Sequence, residues 1–203
     1  QVTRLREGRG SDVRSIAASQ QGRAVFQMTA SFKLAEDGDQ RQIQMPTAKS
    51  PEEVLKEVAE QPLPFSPPPT LKGRTDLLLA SEHFMPKTFT SGRKPELKVW
   101  TRCNESENLS QRQTQILLSF VCDSTLMFTS VLPHGLPFKT HRLTSIDHSA
   151  WFHAPCDVSD WLFYHQRSDA AWDGRGMNHG SIFSRDGQLA MTTAQESMLR
   201  KIA

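Results

Sequence analysis

The 203-residue sequence predicts an α+β fold, in which one central helix is followed by a long antiparallel meander. Ser110 and Gln113 form a capping-box pattern that opens an apolar helical segment at residues 111–128. Four strand-like runs then follow, at residues 141–153, 160–170, 175–185 and 188–199. Asp186-Gly187 lies between the last two runs and is favoured in tight hairpins, so we expect these strands to pair antiparallel.

The chain divides into three parts by composition. Residues 1–35 alternate apolar and polar side chains on either side of a turn at Gln21-Gly22 and predict strands. Residues 36–75 form a proline-rich linker with one short helix, for which Ser50, Pro51 and Glu53 provide the N-cap, the first helical position and the capping box. Residues 76–203 are expected to be a second unit, beginning with strands at Leu77–Leu79 and Leu97–Trp100.

Charge and hydropathy exclude several classes of function. The 24 basic and 22 acidic residues nearly balance, so the composition gives no electrostatic sign of nucleic-acid binding. No uninterrupted run approaches the roughly 18 apolar residues of a membrane-spanning helix. We therefore expect a protein without a membrane span that acts on small molecules or other proteins.

Cysteine usage favours a reducing compartment. Cys103, Cys122 and Cys156 are widely spaced and form no Cys-x-x-Cys pair, which argues against a disulfide framework and a zinc site. The prediction is a cytoplasmic protein. A peroxisomal location is the alternative, although Lys201-Ile202-Ala203 is not a Ser-Lys-Leu type address.

A faint internal repeat links the two ends of the chain. Gly8-Arg9-Gly10, a strand, a turn at Gly22 and a second strand parallel Gly174-Arg175-Gly176, a strand, a turn at Gly187 and a last strand. Such self-similarity predicts two copies of one supersecondary unit. The first copy would then contain only closing strands.

Asp123 is the most informative single residue. On a helix covering residues 111–128, Ile116, Phe120, Asp123 and Met127 fall on one face, so a carboxylate interrupts an apolar stripe. A buried charge without partners is costly. Asp123 is therefore expected to pair, to line a site, or to touch solvent at the edge of the stripe.

Ser145 and Gln195 are weaker candidates on the sequence alone. Ser145 lies in the run at residues 141–153, and Gln195 lies in the last strand-like run. Strand alternation directs each polar side chain to the same face as apolar neighbours. Each residue is either part of a site or an ordinary hydrogen-bonded strand residue.

Several sharper motifs are absent from the sequence. It contains no Gly-x-Ser-x-Gly elbow, no His-Glu-x-x-His pair, no phosphate-binding loop and no dinucleotide fingerprint. His148 and His153 are five residues apart in one predicted strand, hence on opposite faces, and make a poor metal pair. These absences disfavour an α/β-hydrolase nucleophile elbow, and we expect no metal site.

One run resembles the signature of the type II acyl-CoA thioesterases. Ser145-Ile146-Asp147-His148-Ser149-Ala150-Trp151-Phe152-His153-Ala154-Pro155 is similar to the family's Asp-His-Ser-x-Trp-Phe-His-x-Pro motif. Gln115–Asp123 resembles the helix of the family's second domain, and Ala194-Gln195-Glu196 resembles its last strand. Near the N-terminus, Leu5–Arg9 and Met28–Phe32 resemble closing strands of the first domain.

The resemblance implies a double hotdog, two domains that each wrap a curved antiparallel sheet around a long helix. The first hotdog would be incomplete in this chain, because its opening strand, helix and next strand would lie before Gln1. The implied activity is hydrolysis of acyl-CoA to fatty acid and CoA by direct water attack, without a cofactor. The family's catalytic Asp, Ser or Thr, and Gln fall on Asp123, Ser145 and Gln195, and its usual assembly is a homo-oligomer.

Two other functions compete with hydrolysis. A catalytically silent hotdog protein could bind acyl-CoA or act as an assembly subunit; retention of all three site residues speaks against it. A hotdog hydratase would need an Asp/His or Glu/His pair in its own motif, whereas Asp147 and His148 are adjacent and would face opposite sides of a strand.

Overall fold

A computed structural model describes residues 1–60, 73–81, 92–135 and 137–202. Its contacts divide the chain into two compact units, residues Gln1–Arg41 and Gln42–Ala203. The predicted proline-rich run from Pro62 to Pro69 lies outside the described residues.

The first unit is a three-stranded antiparallel meander. Strands β1 (Val2–Glu7), β2 (Ser11–Gln20) and β3 (Arg23–Lys33) pair in chain order. The β2–β3 turn at Gln21 and Gly22 requires positive φ at both residues, which glycine adopts without strain. Most side chains of these strands are exposed within the described part of the chain, including Phe26, Met28 and Phe32.

The second unit contains two α-helices and seven strands in the described residues. The helices are α1 (Pro51–Glu60) and α2 (Gln111–Val121), and a 3₁₀ helix covers Leu126–Val131. The strands are β4 (Thr75–Leu79), β5 (Glu96–Cys103), β6 (His141–Ser145), β7 (Ser149–Phe152), β8 (Leu162–Trp172), β9 (Arg175–Phe183) and β10 (Leu189–Lys201).

These strands form one antiparallel sheet in the order β4-β5-β8-β9-β10-β6, with β7 also paired to β10. The predicted hairpin at Asp186-Gly187 is confirmed, because Gly187 adopts a φ of 92° between β9 and β10. The capping boxes at Ser50/Glu53 and Ser110/Gln113 are also present. The α+β pattern predicted from the sequence therefore matches the fold of this unit.

Both faces of this sheet are covered. Neighbouring residues of a strand point to opposite faces, so β5, β8 and β9 each contribute side chains to apolar clusters on both faces. On one face, Leu118 and Val121 of α2 pack with Val99, Tyr164 and Ile182. On the other face, Val54 of α1 packs in a second apolar cluster, with Leu78, Trp100, Phe163 and Phe183. The short helix predicted in the linker is thus packed on the sheet.

The predicted apolar stripe on the central helix is wrong. Helix α2 ends at Val121 with Cys122 as its C-cap, and the side chains buried against the sheet are Thr114, Leu118 and Val121. Ile116 and Phe120 lie on the exposed side of α2. Two faces of this helix carry apolar residues at helical spacing, and contact with the sheet decides which of them is buried.

The helical stretch Gln111–Val131 is long and apolar enough to cross a membrane by length and composition, among the residues described. Half of its most apolar window is buried. This burial is typical of a core helix, and no membrane span is supported.

The predicted strand at residues 141–153 is interrupted, which corrects its expected alternation. Ser145 pairs with Ser197 and Ser149 pairs with Ala194 on β10. The three residues 146–148 therefore lie opposite only two residues of β10, 195 and 196. This one-residue excess is a bulge, and it reverses the direction of the side chains that follow it.

The backbone supports the internal repeat. In the hairpin of the first unit the register shifts around Val25, because Ala24 pairs with Ser19 and Phe26 pairs with Ala18. In the last hairpin it shifts around Ala190, because Leu189 pairs with Phe183 and Met191 pairs with Ile182. Val25 and Ala190 occupy the same position of the sequence repeat, so both copies have a bulge at that position.

The capping box of α2 predicts a measurable contribution to stability. Replacing Ser110 by Ala removes the hydroxyl that accepts from the Gln113 backbone N–H, and we expect a loss of about 1 kcal/mol in the free energy of unfolding. Urea denaturation checks this value. The matched control is Ser119→Ala on the exposed side of α2, which should change stability by less than about 0.5 kcal/mol. Equal effects of the two substitutions would contradict a special role for the cap.

Candidate active site

The three residues predicted from the sequence meet at one point of the second unit. The Gln195 side-chain nitrogen, Nε2, lies 2.5 Å from Asp123 Oδ1 and 3.0 Å from Ser145 Oγ. Asp123 follows α2, Ser145 ends β6, and Gln195 lies in the middle of β10. Contact between residues separated by 72 and 50 positions in the chain is produced by the fold alone.

These three side chains differ in burial. Gln195 is fully buried, whereas the Asp123 side chain is 55% exposed and Ser145 is exposed. The amide thus forms the floor of the site, and the carboxylate and the hydroxyl lie at its open side. A molecule from solvent can reach the two oxygen-bearing groups while the amide holds both of them.

Hydrogen-bonding capacity remains on the open side. Asp123 contacts Gln195 through Oδ1, and no described residue bonds to its other carboxylate oxygen. The Ser145 hydroxyl accepts from Gln195, and its own hydrogen meets no acceptor among the described residues. One acceptor and one donor are therefore available to a small molecule such as water.

A buried tyrosine supports the site from below. The Tyr164 hydroxyl donates to the backbone oxygen of Cys122, next to Asp123, at 2.8 Å and lies 2.9 Å from Thr193 Oγ1 on β10. Burial raises the pKa of Tyr164 well above its usual value, so this hydroxyl keeps its proton. It connects the end of α2 to the strand that carries Gln195.

His148 and Cys122 also belong to the site, although the sequence analysis did not select them. His148 Nδ1 lies 3.2 Å from Gln195 Nε2 and 3.6 Å from Asp123 Oδ1, and His148 Nε2 lies 3.1 Å from Cys122 Sγ. On the sequence alone, His148 was considered as a strand residue, as a metal ligand and as half of an Asp147/His148 hydratase pair. The available signal was its place in the Asp-His-Ser motif, two residues from Ile146 and three from Ser145.

Burial holds the pKa of His148 below its usual value, although the carboxylates of Asp123 and Asp147 act in the opposite direction. Burial and the neighbouring Asp123 raise the pKa of the Cys122 thiol to about 12. At neutral pH the imidazole is therefore neutral and the thiol is protonated. Neither group therefore places a charge of its own beside Asp123.

No metal site is found in the described ranges of the chain, where no group of three or more His, Cys, Asp or Glu side chains could hold a metal ion. An open cavity of about 480 Å³ lies elsewhere, lined in part by Cys156, Trp161 and Arg185. None of the predicted site residues lines this cavity. The group around Gln195 is thus the arrangement with the clearest chemistry.

Comparison with known proteins identifies the family. The sequence model of the family described as acyl-CoA thioesterase matches residues 76–198, which include Asp123, Ser145 and Gln195. This chain belongs to the acyl-CoA thioesterase family. It is 32% identical to acyl-CoA thioesterase 2 of Haemophilus influenzae over 213 residues, which cover 98% of this chain and 72% of that protein.

A human relative and one solved structure agree with this assignment, and a second solved structure shares the fold. Acyl-coenzyme A thioesterase 8 of Homo sapiens is 32% identical over 98% of this chain and 67% of its own length. The crystal structure of the acyl-CoA thioesterase II TesB2 of Mycobacterium marinum has a TM-score of 0.81 and 26% identity, covering 100% of this chain and 73% of that chain. A protein from Alicyclobacillus acidocaldarius with a hot dog fold has a TM-score of 0.75 and 18% identity, with the same coverage.

These findings confirm the predicted family and the hotdog fold. They also confirm the prediction of an acyl-CoA thioesterase that hydrolyses acyl-CoA thioesters, and they do not favour the catalytically silent alternative.

The close packing beneath the site predicts that Gly180 on β9 tolerates no side chain. A Cβ at this position would lie 2.4 Å from Tyr164 Cε2 and 2.6 Å from Thr193 Oγ1. We expect Gly180→Ala to lower the free energy of unfolding by about 1–3 kcal/mol, as overpacked cores do. Gly10→Ala is the control, because its Cβ would meet nothing within 4 Å. Urea denaturation of both variants should separate them, and equal stability would contradict this packing.

Proposed function

We propose that Asp123 is the general base of acyl-CoA hydrolysis and that Ser145 and Gln195 hold the attacking water. The observation that carries the proposal is the meeting of all three side chains on one nitrogen, Gln195 Nε2. A carboxylate, a hydroxyl and a fixed amide are sufficient to orient a water and to accept its proton.

Each group has a distinct task in this mechanism. The free oxygen of Asp123 accepts one proton of the water, and the Ser145 hydroxyl fixes the orientation of the water by a hydrogen bond. The side-chain nitrogen of Gln195 donates to Asp123 Oδ1 and to Ser145 Oγ, so both oxygens are held next to the same nitrogen atom. Because Gln195 is fully buried, solvent does not compete for its amide.

The reaction is complete with these groups. The water oxygen bonds to the thioester carbonyl carbon as its proton passes to Asp123, and a tetrahedral intermediate forms. The carbon–sulfur bond then breaks, and the sulfur leaves with the proton that Asp123 received. The products are a carboxylic acid and CoA, and no cofactor takes part. Hydrolysis of acyl-CoA is supported by the names of the relatives with 32% identity.

The family and the exposed surface of α2 suggest the partners of this chain, and its cysteines suggest the compartment. We infer an acyl-CoA substrate from the acyl-CoA thioesterase family. We infer a homo-oligomer because Ile116 and Phe120 leave an apolar helix face exposed in the single chain. The three cysteines are free, which favours the cytoplasm over an oxidising compartment.

Asp123→Asn removes the proposed base and keeps the size of the side chain. We expect kcat/KM to fall by about 10²–10⁴-fold, because an amide cannot accept the proton of the water. A free-thiol reagent measures CoA release from a series of acyl-CoAs. The matched control is Asp173→Asn, in the exposed turn between β8 and β9, where the residue has a φ of 52° that Asn also adopts. Turnover of Asp123→Asn near that of the unaltered chain would remove Asp123 from the mechanism.

Ser145 offers a second, graded test of the water site. Ser145→Ala deletes the hydroxyl, and we expect kcat to fall by about 10–100-fold, which corresponds to one lost hydrogen bond in the transition state. Ser145→Thr retains a hydroxyl and should keep more of the activity than Ser145→Ala. Steady-state kinetics of the two variants decide the point. Similar losses in both would indicate that packing at this position matters more than its hydroxyl.

A further inference from the structure

His148 completes the hydrogen bonding of the site from a side that the proposed mechanism does not use. Its Nδ1 lies 3.2 Å from Gln195 Nε2, on the same amide nitrogen that contacts Asp123 and Ser145. Its side chain is 23% exposed, so the ring is mostly enclosed by the site.

The bulge between β6 and β7 turns His148 towards the site. In an unbroken strand His148 would face away from Ser145, since the two are three positions apart. Two hydrogen bonds with the backbone of Glu196 fix the bulge. The Ile146 N–H donates to the Glu196 carbonyl oxygen at 2.9 Å, and the Glu196 N–H donates to Asp147 Oδ1 at 2.8 Å. The Asp147 carboxylate thereby replaces a backbone acceptor, and the extra residue directs His148 to the face of Gln195.

Cys122 holds the opposite edge of the ring. Its sulfur lies 3.1 Å from His148 Nε2 and 3.3 Å from the backbone oxygen of Ser119. The thiol is protonated, and a carbonyl oxygen can only accept, so the S–H hydrogen points to Ser119 and the sulfur accepts from His148 Nε2. This arrangement places the ring proton on Nε2 and leaves a lone pair on Nδ1.

The lone pair on Nδ1 matters because of the hydrogen count at Gln195. The amide nitrogen has two hydrogens and three neighbouring acceptors, namely Asp123 Oδ1, Ser145 Oγ and His148 Nδ1. One hydrogen serves Asp123, and the other is shared between Ser145 and His148. If the amide were rotated by half a turn, its oxygen would face the Asp123 carboxylate and the Nδ1 lone pair, so both oppose that rotation.

We propose that His148 is a positioning residue, which as the neutral Nε2–H tautomer accepts from Gln195 and thereby keeps the amide donating to Asp123 and Ser145. This inference rests on the proposed function of these three residues. His148 touches neither the water nor the thioester in this scheme, and it acts through Gln195. Cys122 acts one step further away, since it selects the tautomer.

Two substitutions separate positioning from filling of space. In His148→Asn an amide oxygen follows Cγ, where Nδ1 stands in the imidazole, so an acceptor for Gln195 remains. His148→Leu fills the site without an acceptor. We expect kcat of His148→Leu to fall about 10–100-fold with KM within about twofold, and His148→Asn to recover most of the loss.

Nitrogen-15 NMR of the histidine rings in the full chain gives a readout independent of activity. We expect His148 to carry its proton on Nε2 at neutral pH, and the Gln195 amide signal to shift in His148→Leu but much less in His148→Asn. A proton on Nδ1, or equal losses of kcat in the two variants, would overturn the inference. If His148→Leu fails to fold, two readouts remain, the tautomer of His148 in the unaltered chain and the kcat of His148→Asn. A proton on Nε2 together with a near-normal kcat supports the inference. A proton on Nδ1 or a large loss of kcat in His148→Asn overturns it.

The same experiment separates this inference from the proposed function. An unaltered chain without turnover, or Asp123→Asn with full turnover, would overturn the proposed function. In either case the tautomer of His148 and the response of the Gln195 amide signal still decide whether His148 holds that amide.

Discussion

Gln195 carries its side-chain amide in the middle of the longest described strand, fully buried, and both Asp123 and Ser145 hydrogen bond to its nitrogen. An amide in such a place loses its bonds to water, and it is stable only where protein groups replace them. The nitrogen has these replacements, while the oxygen finds none among the described residues. The carboxylate and the hydroxyl thus have fixed positions because the amide cannot turn to solvent.

The position of this amide depends on strand β10, which pairs with β9 along one edge and with β6 and β7 along the other. A straight partner strand would present Ser145 and His148 to opposite faces of the sheet. The bulge at residues 146–148 presents both to Gln195, and its cost is one interrupted stretch of the ladder. The backbone irregularity and the chemical arrangement are therefore one feature of the structure.

The parts of this arrangement that local sequence rules determine could be predicted from the sequence. Alternation placed Ser145 and Gln195 on strands, and the capping box located the start of α2. The buried face of α2 was not predictable, because Ile116/Phe120 and Leu118/Val121 have equivalent helical spacing and only contact with the sheet distinguishes them. The place of His148 was missed for a similar reason, since the bulge exists only in the register between β6, β7 and β10.

The internal repeat explains why such a site can form in only one of the two meanders described. Both meanders have a glycine turn and a bulge at the matching position, at Val25 in one and at Ala190 in the other. Five residues after each bulge the first copy has Ala30, paired with Arg14, and the second has Gln195, paired with Asn178. A methyl group donates no hydrogen bond, so the first meander offers no amide to hold a carboxylate and a hydroxyl. The two copies have the same backbone pattern of a glycine turn followed by a bulge, and only the second carries the amide that the proposed chemistry needs.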